Sequence, residues 1–244
     1  GSFATRDAAI DILQDMIRIR THQPEGNEKD LVKYILQLLP EEHFDISVLD
    51  HGNNRASLLA VLPGFNRDSA IAFVGHLDTL AVGSSVTWNH PPFAADFDHR
   101  YVYGRGAANM KGGLTAMVLC ALTLASSEEP PPTDIYFCFT ADGDFNGYGI
   151  QCLLNCGYLN KVEEMFFLDP TDCKDGIQEK GAIWLEVSVR GKFSYSCLPE
   201  QGLNAINTFM NFFYKVDAFL TKEFVSKSTE VLSPSCVLTK LNST

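Results

Sequence analysis

The sequence predicts an α/β fold, a mostly parallel sheet flanked by helices, with a smaller and incomplete α+β unit after it. Three observations carry that expectation. Short apolar runs alternate with helical-period segments over the first 180 residues. Two of those runs, 71–74 and 134–140, are apolar almost throughout, as strands buried on both faces are. The pattern then changes beyond Gly181.

Taken in order, Ile10, Leu13 and Ile17 recur at helical spacing and predict a helix over 8–19. A second helix over 31–39 is stopped by Pro40. Residues 46–49, 57–62 and 71–74 read as short strands, and His76 stands just past the carboxyl end of the third. Helices are expected over 111–125 and 149–156, strands over 134–140 and 164–168, with Pro130-Pro131-Pro132 as a stiff connector. In such sheets ligands bind beyond the carboxyl ends of the strands, where His76, Asp144 and Asp169 all fall.

Domain boundaries are placed at 1–180 and 181–244. In the second unit, 183–189 alternates as a half-exposed strand, 204–220 reads as a long helix, and 236–241 as one more strand. A unit of about 60 residues is small for independent stability, so it is expected to lean on the first unit or on a partner.

At 244 residues and 45% apolar composition the chain has ample material for a core. A net charge of -11 argues against a nucleic-acid or anionic-membrane surface, since both need clustered Lys and Arg. No run reaches the ~18 consecutive apolar residues of a spanning helix. Seven cysteines, an odd number without a Cys-x-x-Cys pair, favour reduced thiols in a cytoplasmic setting. The amino terminus lacks a signal-peptide pattern, and Gly1-Ser2 has the form of an expression scar.

Five ordered blocks carry the functional signal. They are Gly75-His76-Leu77-Asp78-Thr79, Trp88-Asn89-His90-Pro91-Pro92-Phe93, the glycine-rich stretch from Tyr103 to Gly113, Asp169-Pro170-Thr171-Asp172, and the stretch from Leu198 to Ala205. In this order the chain resembles the di-zinc amidohydrolase family of acetylornithine deacetylase, succinyl-diaminopimelate desuccinylase, aminoacylase and glutamate carboxypeptidase. The resemblance implies a zinc-exopeptidase-like catalytic domain and a lid or dimerisation domain. It runs from about residue 8 to 241, although family members continue well beyond that point and there supply a last histidine ligand.

What the resemblance implies for single residues is uneven. The position of His76 binds one zinc, and Asp78 is the carboxylate that orients it. Asn109 stands where an aspartate ordinarily bridges both metals; an amide offers one carbonyl oxygen and no charge. In Asp142-Gly143-Asp144, Gly143 occupies the general-base position without a side chain, while Asp144 keeps a carboxylate at a ligand position. Asp169 occupies the remaining carboxylate position. Tyr195 stands where relatives carry a lid histidine that stabilises the oxyanion. Two zinc ions are expected in intact relatives, whereas none, or one weakly bound zinc, is expected here.

These changes favour a pseudoenzyme, the fold kept as a binding or interaction module. The alternative is an active hydrolase of N-acyl amino acids or small peptides with a mononuclear or partner-completed site. A third reading treats the changes as engineered or the chain as a fragment. Expected partners are a second copy or another protein through the lid, and a small amino-acid-like ligand, with no nucleic acid and no membrane.

Overall fold

The computed structural model describes residues 5–84, 87–144, 146–176, 180–229 and 233–242. The chain separates into two compact units, Gly1–Lys174 and Asp175–Thr244.

In the first unit, α1 (Arg6–Arg18) starts where Thr5 Oγ1 accepts the Ala8 amide proton, with Asp7 in the first turn and Arg18 in the last, each complementing the helix dipole. Helix α2 (Glu28–Leu38) follows, then β1 (Asp45–Gly52) and β2 (Arg55–Leu62). Asn53 and Asn54, at φ 49° and 59°, form the left-handed two-residue turn that suits a tight antiparallel hairpin. Next come β3 (Asn66–His76), the short pair β4 (Asp96–Phe97) and β5 (Val102–Tyr103), α3 (Gly112–Ala125), β6 (Thr133–Thr140), α4 (Tyr148–Asn155) and β7 (Val162–Phe167).

The main sheet has the order β1-β2-β6-β3-β7. The helix-flanked sheet is as expected, but it is mixed: β6-β3 and β3-β7 are parallel, while β1-β2 and β2-β6 are antiparallel. Apolar runs show which strands are buried but carry no direction; the Asn53-Asn54 turn decides it for β1 and β2.

Alternate residues of the central strands feed two cores. Leu58, Ala60, Ile135, Phe137 and Phe139 pack with Met16, Ile35, Leu114 and Val118 from α1, α2 and α3. Leu59, Val61, Ala72, Val74 and Cys138 pack with Leu153 and Leu159 on the opposite face. Fully buried Phe137 and Phe139 each contribute about 1.5–3 kcal/mol by leaving water. The stretch Ala107–Ala125 is long and apolar enough to cross a membrane by composition, yet Leu114, Met117, Val118 and Ala121 on it are core residues. Strand β7 lies at the sheet edge, and Phe166 and Phe167 on it are exposed.

The second unit contains α5 (Ala205–Lys227), capped by the Asn204 side chain on the Asn207 amide. Helix α5 runs past the expected end at 220 because no breaker interrupts 215–227. The strands expected over 183–189 and 236–241 are not formed; among the described residues the β-pairing of this unit is the isolated Lys192–Leu203 bridge. Ile183, Leu185 and Val187 are exposed. Their alternation marks a face, but a strand also needs a neighbour to take its ladder.

Candidate metal centre

Register builds the site. In the parallel pairing of β3 with β6, His76 lies beside Thr140, and the Leu77 amide donates to the Thr140 carbonyl at 2.8 Å. The two chains therefore leave the sheet together, which brings Asp78 next to the Asp142–Asp144 turn. The Asp78 carboxylate accepts the Gly143 amide at 2.7 Å and the Asp144 amide at 3.3 Å. A third donor, Gln23 Nε2, reaches the same carboxylate at 3.1 Å. His76 Nδ1 is set by the Asp78 backbone carbonyl at 2.9 Å, nearer than the carboxylate at 3.6 Å.

Asn109 joins from the turn before α3, where it leaves helical geometry at φ -115° and ψ 97°. Its Oδ1 lies 3.1 Å from His76 Nε2, and its Nδ2 donates to Asp144 Oδ1 at 3.2 Å. The amide thus spans the histidine and the carboxylate, and His76 Nε2 is itself 3.5 Å from Asp144 Oδ1.

The ligand atoms of His76, Asp78 and Asp144 gather within 4.8 Å of one another. Asp78 has its oxygens engaged by three N–H groups, so His76 Nε2 and Asp144 are the free ligands of that set. Asp144 Oδ2 is buried without a hydrogen-bond partner, an uncompensated acceptor of the kind a cation satisfies. Charge favours a cation as well. Glu28, Asp78, Asp142 and Asp144 surround this end of the sheet, and Arg55, paired with Glu28 and Asp142, is the guanidinium among them. Its bond to Glu28 holds the Arg55 pKa above its usual range.

The histidine nitrogen and the carboxylate of this set suit a divalent cation. Asn109 supplies no charge to bridge two dications, and Gly143 has no side chain. Asp169 is exposed beyond β7 and is not in the gathered set among the described residues. Tyr195 belongs to the second unit, with its side chain exposed. The residues that sequence reasoning missed are Gln23, Glu28 and Arg55. Their partners lie 27 to 119 positions away, and no local spacing announces them.

Comparison with known proteins agrees with the fold. The model described as Peptidase family M20/M25/M40 matches residues 72–221. A Staphylococcus aureus protein named "Probable succinyl-diaminopimelate desuccinylase" is 29% identical over 204 residues, 84% of this chain and 50% of the relative. Human carnosine dipeptidase 1 superposes with a TM-score of 0.57 at 18% identity, over 66% of this chain and 38% of that one. Aminopeptidase PepT from Bacillus cereus superposes with a TM-score of 0.54 at 18% identity, over 83% and 54%. The chain spans about half the length of the curated relatives it matches.

Proposed function

The chain belongs to peptidase family M20/M25/M40, a family of metal-dependent hydrolases, and on that footing we propose that it carries the metal centre of an amide-bond hydrolase built round one divalent cation. The expected pseudoenzyme finds no support in the family match or in the relatives' names, which favour the active alternative. His76 Nε2 and Asp144 are the ligands this chain offers, and Asp78 fixes the turn and the ring that carry them. A bound cation would polarise the scissile carbonyl and its attacking water. The observation that carries the reading is the buried, unpartnered Asp144 Oδ2 beside His76. N-acyl amino acids and small peptides are the proposed substrates, in keeping with the desuccinylase and dipeptidase names of relatives. Zinc sites generally have three or four protein ligands, so two leave room for water and for a group from another segment or chain.

Zinc titration by calorimetry, with a screen of N-acyl amino acids and dipeptides, tests this. One zinc per chain, lost in His76→Ala together with turnover, is the expected result. No binding at micromolar zinc would overturn it. A second reading, a binding module without hydrolysis, has one observation in its favour: Gly143 packs directly on His76, where the base would stand. Zinc binding without turnover of any substrate in the screen would select it.

A further inference from the structure

We infer that Glu28, Arg55 and Gln23 are positioning residues for the cation site: they hold Asp142, and through it the turn that aims Asp144 at His76. The inference rests on the cation reading above.

Three separate segments converge on Asp142: α2, β2 and the stretch bearing Gln23. Glu28, the first residue of α2, has no exposed surface. Arg55, the first residue of β2, grips it with a two-pronged bond, Nε to Oε2 at 3.0 Å and Nη2 to Oε1 at 2.5 Å. The same Nη2 reaches Asp142 Oδ1 at 3.5 Å, and Glu28 Oε1 accepts the Asp142 amide at 3.3 Å. Gln23 Nε2 sits between two carboxylates, 3.1 Å from Asp78 Oδ2 and 3.1 Å from Asp142 Oδ1. Gln23 is tied down in turn by its backbone N–H, which donates to the Thr79 carbonyl at 2.8 Å.

The clamp has a specific task. Asp142 is at φ 57°, a left-handed conformation that costs a non-glycine residue free energy and persists only where the surroundings hold it. That φ bends the chain so that Gly143 lies against His76 and both following amides meet Asp78. One glutamine amide thereby links the carboxylate beneath the histidine to the turn bearing the second ligand. The planar Arg55 fork is matched to Glu28 in a way a lysine point charge is not.

The test uses the full chain with Arg55→Lys and Gln23→Ala. Zinc affinity is titrated, the visible spectrum of bound Co2+ is recorded, and exchange of the Gly143 amide hydrogen is followed beside thermal melts. Both variants should bind zinc roughly tenfold to a hundredfold more weakly, as losses of outer partners of metal ligands do. They should also shift the Co2+ spectrum and exchange the Gly143 hydrogen faster. A lower melting temperature with unchanged affinity, spectrum and exchange would overturn the inference and leave a buried ion pair that only stabilises the fold. Should Arg55→Lys fail to fold, Gln23→Ala decides alone. If the unmodified chain binds no cation, the hydrolase reading falls, and Gly143 exchange still settles the clamp: faster in the variants supports it, unchanged refutes it.

Discussion

Gly143 packs so tightly on His76 that a Cβ built on it would lie 2.2 Å from His76 Cβ and 2.9 Å from Cγ. The nearer atom is the carbon that joins the His76 side chain to its backbone, and the other is in a ring held by the Asp78 carbonyl and Asn109, so neither is a flexible tip that swings aside. A side chain at position 143 would therefore need space that His76 already fills.

Gly143→Ala is expected to cost about 1–3 kcal/mol, in the manner of an overpacked core. Gly143→Glu should cost at least as much and should not by itself produce a working base, because His76 must move to admit it. Urea denaturation and an amidase assay check the two halves. A Gly143→Glu chain as stable as the parent would show that the turn yields more readily than its bonds to Asp78 imply.

Asn109→Asp should reverse its effect with the cation. Without metal, a new carboxylate faces Asp144 Oδ1, which Asn109 Nδ2 now reaches at 3.2 Å. Two like charges near 4 Å repel by about 4 kcal/mol at an effective dielectric of 20. Asn109 is exposed, so solvent screening brings the expected loss nearer 1 kcal/mol. With zinc, the added charge should raise affinity by roughly tenfold, about 1.4 kcal/mol. Thermal melts in chelator and in zinc give the two signs; a shift of the same sign in both would refute the argument.

Thiol chemistry should divide the cysteines by burial. Cys156, Cys173, Cys197 and Cys236 are exposed, whereas Cys138 lies in the core and burial pushes its thiol up to about 12. The thiolate is the reactive form. At pH 8 the exposed four should alkylate readily in the native chain, with Cys138 following only on unfolding, as mass spectrometry of the labelled peptides would show.

What the sequence discloses follows from the range of each interaction. His76 and Asp78, from a motif block, and Asp144, from the turn after β6, fall at one sheet end because each follows a strand that its own apolar run reveals. Helices α1 to α4 are legible for the same reason, their periodicity being local. Strand direction is not, apart from the Asn53-Asn54 turn between β1 and β2. The Glu28-Arg55-Asp142 group is hidden for a different reason. A charged residue is ordinarily solvated, and only contacts across 27 and 87 positions show that these are enclosed. Ile183 and Leu185 mark the opposite failure, a clear strand pattern that stays exposed and unpaired as a strand among the described residues.

Lys111 gives a pH dependence whose sign can be worked out. It is 1% exposed, and its Nζ donates to the carbonyls of Met16 at 2.8 Å and Ile19 at 2.7 Å, groups that the end of α1 leaves without helical partners. Burial pushes its pKa from 10.5 down to about 7. Between those values the unfolded chain holds a proton that the folded chain has released. Stability therefore rises with pH through the window, by at most about 1.4 kcal/mol per unit. Above the window the penalty is gone, and below pH 7 it is felt in full. The two helix-end carbonyls favour the ammonium and make the slope shallower. Lys111→Met should lose about 1–3 kcal/mol for the unpaired carbonyls yet show none of the rise. Urea melts at pH 7.5 and 9.0 should show the parent gaining up to about 2 kcal/mol on the variant. Parallel curves for the two chains would mean that Lys111 keeps its proton in the core, with the α1 carbonyls outweighing its burial.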